Sequence, residues 1–369
     1  PFQKKGIMNK NTLLLSVFSF CLFCGCGDDN DGIPEWPWTD PTEEPTPPPE
    51  EPVEANPAIV AAGWTNVNAS FGSLPEYINV YKSPEQLQGK KAVAYIAVAD
   101  MAKGGKFEIL GDIAYCDDKS IANYGAETVN TPDQFYTTSK APIIINGGLF
   151  FYAAKSDDSA FYVSQNLVAR NGEILAVNQT YWVEDWSSDP LVMWYPTIGT
   201  FCQTEDGTCK TTWTYSTGTK HYCYSVPADN ALNKDPLEVP SATFPGVAEE
   251  FKAVNAIGGA GVLLSNGEIK NTWAQELLDV AADSNQPRTA IAYSTDKKLM
   301  FFVCEGRERT EGVAGLTTGE VANVLKSLGC TEALNLDGGG SSCMLVNGKE
   351  TIKPSGGEQR AVLTGVRMY

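Results

Sequence analysis

The sequence predicts an α+β (or α/β) body, a mixed β-sheet packed with helices, from three observations. Short apolar runs, residues 142–146 (PIIIN) above all, read as strands. Thr317 and Glu320 form a capping box before an apolar stripe of Val321, Val324, Leu325 and Leu328, which Gly329 closes. Strand, helix and strand follow in that order near the C-terminus, as in a crossover.

Taken in order, residues 91–100 (KAVAYIAVAD) and 106–111 read as two strands of a hairpin turning at Lys103-Gly104-Gly105. Residues 142–146 form a strand that runs into Gly147-Gly148, and the Tyr-, Trp- and Thr-rich stretch 161–226 suggests antiparallel strands. Residues 272–282 read as a helix, and 288–294 and 299–304 as strands. After the capped helix, 333–336 is again a strand, and Asn347-Gly348 turns a hairpin between 343–346 and 350–352. No internal repeat is visible.

The N-terminus has a different character. Met8-Asn9-Lys10-Asn11 precedes an apolar run, residues 12–23, with the length of a signal-peptide core, so residues 1–26 read as a signal segment. It ends Phe23-Cys24-Gly25-Cys26, which resembles a bacterial lipobox with Cys26 as the lipidated residue. Residues 27–56 carry ten acids, no base and eight prolines, the composition of an extended tether. Gly27-Asp28-Asp29-Asn30-Asp31 looks like an export signal of surface lipoproteins. The expected location is therefore extracytoplasmic, lipid-anchored to a bacterial outer membrane and surface-exposed, with the outer-membrane lipid as a partner.

The whole chain has 369 residues and a net charge of −18, which argues against nucleic acid as a partner. A Ser–His–Asp triad would have to use its single histidine, His221, which lies in an aromatic stretch, and a His-rich metal site cannot be built from one imidazole. Cys202 and Cys209 flank a turn, Glu205-Asp206-Gly207, so a bridge closing that hairpin is an expectation.

The chemistry points to Asn335-Leu336-Asp337-Gly338-Gly339-Gly340-Ser341-Ser342. A carboxylate at a strand end is followed by three glycines whose N–H groups could turn to an anion, with Ser341 and Ser342 beside them. Two more glycine sites follow apolar runs, Asn146-Gly147-Gly148 and Gly258-Gly259, and the three could share one mouth. Of six arginines, five (Arg288, Arg307, Arg309, Arg360 and Arg367) fall in the last 82 residues, a placement suited to bidentate recognition of phosphate. Arg288, which begins a strand, and Arg307, which follows Glu305-Gly306, are the better candidates.

NGGLF (146–150), IGGAG (257–261), PRTAI (287–291), Glu305-Gly306-Arg307 and above all NLDGGGSS together resemble the phosphodiester glycosidase family. The resemblance covers residue 91 to the C-terminus, so 57–369 is expected to be one such domain with an aromatic-rich insertion near 180–245. It implies hydrolysis of a sugar-1-phosphodiester, such as an N-acetylglucosamine-1-phosphodiester, at the anomeric carbon. Asp337 and Glu305 are then the catalytic carboxylates, and Arg288 and Arg307 hold phosphate with Gly147, Gly258, Gly259, Gly338, Gly339 and Gly340. Asn146 would bind sugar hydroxyls, and Ser341 and Ser342 phosphate or water. The scheme requires no metal and no cofactor. Two other readings stay open, a non-catalytic glycan-binding surface lipoprotein and a metal-dependent phosphoesterase.

Overall fold

The computed structural model describes residues 56–121 and 123–369; the signal-like segment with Cys26 and the acidic tether before Asn56 lie outside the described residues. Eight elements frame the site: β1 (Ala94–Asp100), β2 (Ile143–Asn146), β3 (Asn255–Gly258), β4 (Val262–Ser265), β5 (Arg288–Ser294), β6 (Lys298–Cys304), α1 (Thr318–Ser327) and β7 (Cys330–Asn335).

The expected mixed, helix-packed sheet does not form. Three large sheets dominate, and every pairing within them is antiparallel. The eight-stranded sheet has β1-β6-β5-β7-β4 at its centre. A seven-stranded sheet contains β3 beside the strand Ile198–Gln203, and a five-stranded sheet contains β2. Only four α-helices, all short, occur among the described residues. The protein is therefore mostly β.

Alternation along β5 explains the architecture. Ile291 and Tyr293 enter a core shared by all three sheets, together with Ile143 and Ile145 of β2 and Ile257 of β3. Ala290 and Ala292 face the other way, toward Val321, Val324 and Leu325 of α1. Strands buried on both faces are apolar throughout, whether the second cover is a helix layer or another sheet. Here one face takes a helix and the other takes sheets.

The capping box is real: the Thr317 hydroxyl accepts from the Glu320 N–H, and the Glu320 carboxylate accepts from the Thr317 N–H. The β6-α1-β7 crossover also exists, but β5 lies between its strands, so β6 and β7 run the same way without pairing. Asn347 and Gly348 both have positive φ, as their hairpin turn requires.

Two further expectations fail. Residues 94–100 and 107–110 are not a hairpin, because β1 pairs with Ile78–Lys82 and β6 while Phe107–Leu110 pairs with Gly365–Met368 in another sheet. Cys202 and Cys209 are buried free thiols. Their hairpin sets Cys209 opposite Gln203 and Cys202 opposite Lys210, so they occupy neighbouring rungs and enter different apolar clusters. Within the stretch read as an aromatic-rich insertion, Ile198–Gln203 lies in the seven-stranded sheet between β3 and Cys209–Thr217.

Residues 272–282 form turns rather than a helix. Leu277 and Ala281 have positive φ, which no helix continues through. The segment is organised around Glu276, a fully buried carboxylate that accepts from the Thr272 hydroxyl (2.5 Å), the Gly199 N–H (2.8 Å) and the Trp213 indole (3.1 Å). Burial raises its pKa from 4.5 to about 7 in spite of these donors. The folded state thus holds a proton there that the unfolded state releases. Its contribution to stability is complete below about pH 4.5 and is lost as pH rises to about 7. Denaturation of residues 57–369 between pH 5 and 7.5 should show stability falling by up to about 3 kcal/mol from this group. An unchanged slope in Glu276→Gln would show that another group is responsible.

Candidate active site

The ends of β2, β5, β6 and β7 meet at one edge. The Asp337 N–H donates to the Gly147 carbonyl (3.1 Å), the Leu336 N–H to Thr289 (2.9 Å) and the Gly339 N–H to Pro287 (2.9 Å). These bonds bring the Asp-Gly-Gly-Gly string against the starts of β5 and the Asn146-Gly147 turn. A pocket of about 340 Å³ opens there, lined by Asp337, Gly338, Gly339, Gly340, Arg307 and Arg360 among others.

Among the N–H groups of this turn, those of Gly339, Ser341, Ser342 and Cys343 go to Pro287, Gly338, Gly339 and the Asn146 Oδ1. The glycines also allow close approach. A Cβ on Gly339 would lie 2.7 Å from the Arg307 guanidinium, and one on Gly340 would overlap that of Arg360. Two guanidinium groups therefore lie directly on the string. Neither forms a salt bridge with a carboxylate among the described residues.

Arg307 is held at this place by its own backbone, with φ of 55° at Arg307 and 56° at Glu308. Its Nε donates to Gln286 (2.9 Å). Arg360 donates to the Ser341 hydroxyl (3.3 Å). Burial pushes the Asp337 carboxyl above the usual carboxylate range, opposed by the Ser341 hydroxyl, Arg360 and the Gly338 N–H.

Other expected ligands turn out to be occupied. Arg288, 2% exposed, donates to four backbone carbonyls: Leu316 (3.0 Å), Val280 (2.8 Å), Ala281 (2.7 Å) and Ser284 (3.0 Å). It lines the pocket, yet its guanidinium fastens the 280–284 segment. Asn146 is fully buried: its Oδ1 accepts from Thr289 (2.7 Å) and Cys343 N–H (3.2 Å), and its amide donates to the Asp337 carbonyl (2.7 Å). It positions Asp337 and has nothing left for a sugar. The Gly147, Gly258 and Gly259 N–H groups go to the Thr364, Leu167 and Gly199 carbonyls. These glycines allow the strands to touch, since a Cβ on Gly258 would lie 2.8 Å from that of Asn166.

Glu305 is buried but does not line the pocket. It follows Cys304 and so alternates onto the face of Val303 and Phe301, where it accepts from the Lys353 N–H (3.3 Å). Its Oε1 has no partner among the described residues. Lys353 leads to Ser355, whose hydroxyl bonds the Gly339 carbonyl (3.2 Å), so Glu305 supports the string from behind. Ser342 is buried, and its hydroxyl has no hydrogen-bond partner among the described residues. His221 bonds Ser216 (2.8 Å) and does not line the pocket.

Sequence reasoning missed three pocket residues. Arg360 stood among the late arginines with no local motif to mark it. Asp279 lies in the segment read as a helix, and Asn335, the first residue of the glycine-serine string, lines the pocket with an Oδ1 that has no partner among the described residues.

Residues 219–369 match the phosphodiester glycosidase family. Over 92 residues the chain is 38% identical to a prophage-derived uncharacterized protein of Bacillus subtilis, a match that spans 25% of this chain and 13% of that protein's length. Among solved structures, the catalytic domain of zebrafish N-acetylglucosamine-1-phosphodiester alpha-N-acetylglucosaminidase, auto-inhibited by its pro-peptide, superposes with a TM-score of 0.50 at 18% identity, covering 83% of this chain and 88% of that one. A hypothetical protein from Synechocystis also gives 0.50, at 14% identity over 83% of this chain and 63% of its own. At these identities the likeness is one of fold. The family match by itself marks residues 219–369 as phosphodiester glycosidase-family sequence, and the solved structures add a likeness of fold.

Proposed function

We propose that this domain hydrolyses a sugar-1-phosphodiester at its anomeric carbon. The observation that carries the reading is the gathering, in one pocket, of Asp337 with two guanidinium groups that form no salt bridge among the described residues. The bond between the anomeric carbon and the phosphate oxygen breaks, water supplies the new hydroxyl, and a phosphomonoester leaves. Arg307 and Arg360 stabilise the charge that grows on phosphate. Asp337 steadies the oxocarbenium-like centre or takes the proton of the attacking water. The other carboxylate that lines the pocket is Asp279, which makes it a better second acid than Glu305. Asn335 Oδ1 is the acceptor for a sugar hydroxyl.

N-acetylglucosamine-1-phosphodiesters are the first substrates to offer, because the zebrafish protein of similar fold carries that chemistry in its name. Cys26 and the acidic stretch support display on a bacterial outer membrane. Purified residues 57–369 should release free sugar, and Arg307→Ala and Arg360→Ala should each lower kcat/KM by about tenfold to a thousandfold. Binding of glycan without release would favour a lectin-like role. Scission on the phosphorus side that stops with chelator would favour a phosphoesterase.

A further inference from the structure

The hairpin that follows Asn146-Gly147-Gly148 leaves one edge open. Its strands Phe150–Ala154 and Ala160–Ser164 pair in unbroken register, and Phe150–Ala154 ends a four-stranded sheet with no strand on its outer side among the described residues. The Lys155 N–H donates to the Ser159 carbonyl and the Gln165 N–H to the Leu149 carbonyl, so the odd-numbered residues of the strand bond inward. The N–H and C=O groups of Phe150, Tyr152 and Ala154 therefore point outward.

Proteins ordinarily blunt such an edge with charge, proline, a bulge or brevity. The other end strands of the described sheets do so: they are two residues long or, at Phe107–Leu110 and Glu173–Ala176, carry a glutamate. Phe150–Ala154 has five residues and none of these devices. Phe151 and Tyr152, 37% and 58% exposed, stand on its opposite faces, where they can flank the side chains of an added strand.

Charge differs between the two ends of the strand. The turn beyond Ala154 is acidic: Asp157 and Asp158 are exposed, Asp118 is drawn in by the Ser156 N–H (2.7 Å), and the Lys155 ammonium is already paired with Glu127. At the other end, Leu149 lines the pocket of Arg307 and Arg360, which form no salt bridge among the described residues. A strand laid antiparallel here has its N-terminal end at the acidic turn and its C-terminal end at the arginines. A second copy of the chain, with a net charge of −18, meets repulsion instead.

We infer that this edge docks a polypeptide partner by strand addition. The partner segment is extended, runs antiparallel to Phe150–Ala154, and is basic at its N-terminal end, uncharged in the middle and acidic at its C-terminal end. Backbone hydrogen bonds to Phe150, Tyr152 and Ala154 hold it, and the charges at its ends set its direction.

The test follows the fluorescence anisotropy of two labelled peptides titrated with the whole chain, Lys-Lys-Thr-Val-Thr-Val-Thr-Glu-Glu and its charge-reversed counterpart Glu-Glu-Thr-Val-Thr-Val-Thr-Lys-Lys. The first should bind saturably, and about fivefold or more tighter than the second. Tyr152→Pro should abolish that binding, because proline removes an outward donor and leaves the inward bonds of the strand in place. Asp157→Asn combined with Asp158→Asn alters only the exposed turn, and should bring the two affinities within about twofold of each other whether or not the proline variant folds. No saturable binding of the first peptide, equal affinities in the unaltered protein, or binding that survives in a folded Tyr152→Pro would overturn the inference. So would a dimer in sedimentation velocity that Tyr152→Pro converts to monomer, since the edge would then belong to a second copy.

Discussion

Arg288→Met is expected to destabilise the domain by about 4 kcal/mol or more, the largest stability effect of any arginine in the pocket. The side chain is almost fully buried and satisfies four backbone carbonyls in two different segments. Methionine fills similar volume but donates nothing, so four acceptors lose their partner at once. Arg288→Lys should recover little, because an ammonium is a point with three donors and cannot span carbonyls that a planar fork reaches. Arg307→Ala, by contrast, removes an exposed side chain and should change stability by less than about 1 kcal/mol. Urea unfolding followed by circular dichroism separates the cases. If Arg288→Met unfolded within 1 kcal/mol of the unaltered protein, Arg288 would be free to bind phosphate, as the sequence suggested.

Asp337→Asn should reduce kcat by roughly a hundredfold to ten-thousandfold while the protein remains folded. The carboxylate is half-buried at the end of β7, beside Arg307 and Arg360, and its backbone is fixed from both sides by Gly147 and Asn146. Asparagine keeps that shape and removes the charge and the proton acceptor. Because burial raises the Asp337 pKa, the acid limb of the pH–rate profile should lie above the ordinary carboxylate range. Asp279→Asn should also reduce kcat, and Glu305→Gln should reduce stability more than turnover. A Glu305→Gln enzyme that folds normally with a kcat as low as that of Asp337→Asn would restore Glu305 to the chemistry.

Much of the local structure was legible. β2, β5, β6, β7, the capping box of α1 and the Asn347-Gly348 turn all depend on neighbours in sequence, whose propensities and hydrogen bonds act at short range. The fold class was not legible, because an apolar strand such as β5 records that both faces are covered and not by what. The helix expected at 272–282 was overridden by long-range demands: Glu276 bonds Gly199 and Trp213, and Arg288 takes the carbonyls of Val280 and Ala281.

The site divides in the same way. By itself the sequence determined that Asp337 stands beside a triple glycine, and that arginines gather in the same third of the chain. Only the tertiary structure decided which of those arginines is free. Arg288 is spent on carbonyls brought from elsewhere, Arg307 and Arg360 lie on glycines that make room for them, and Glu305 turns behind the string. A motif records residue types in order, whereas availability depends on where every donor and acceptor finds its partner, and most of those partners are distant in the chain.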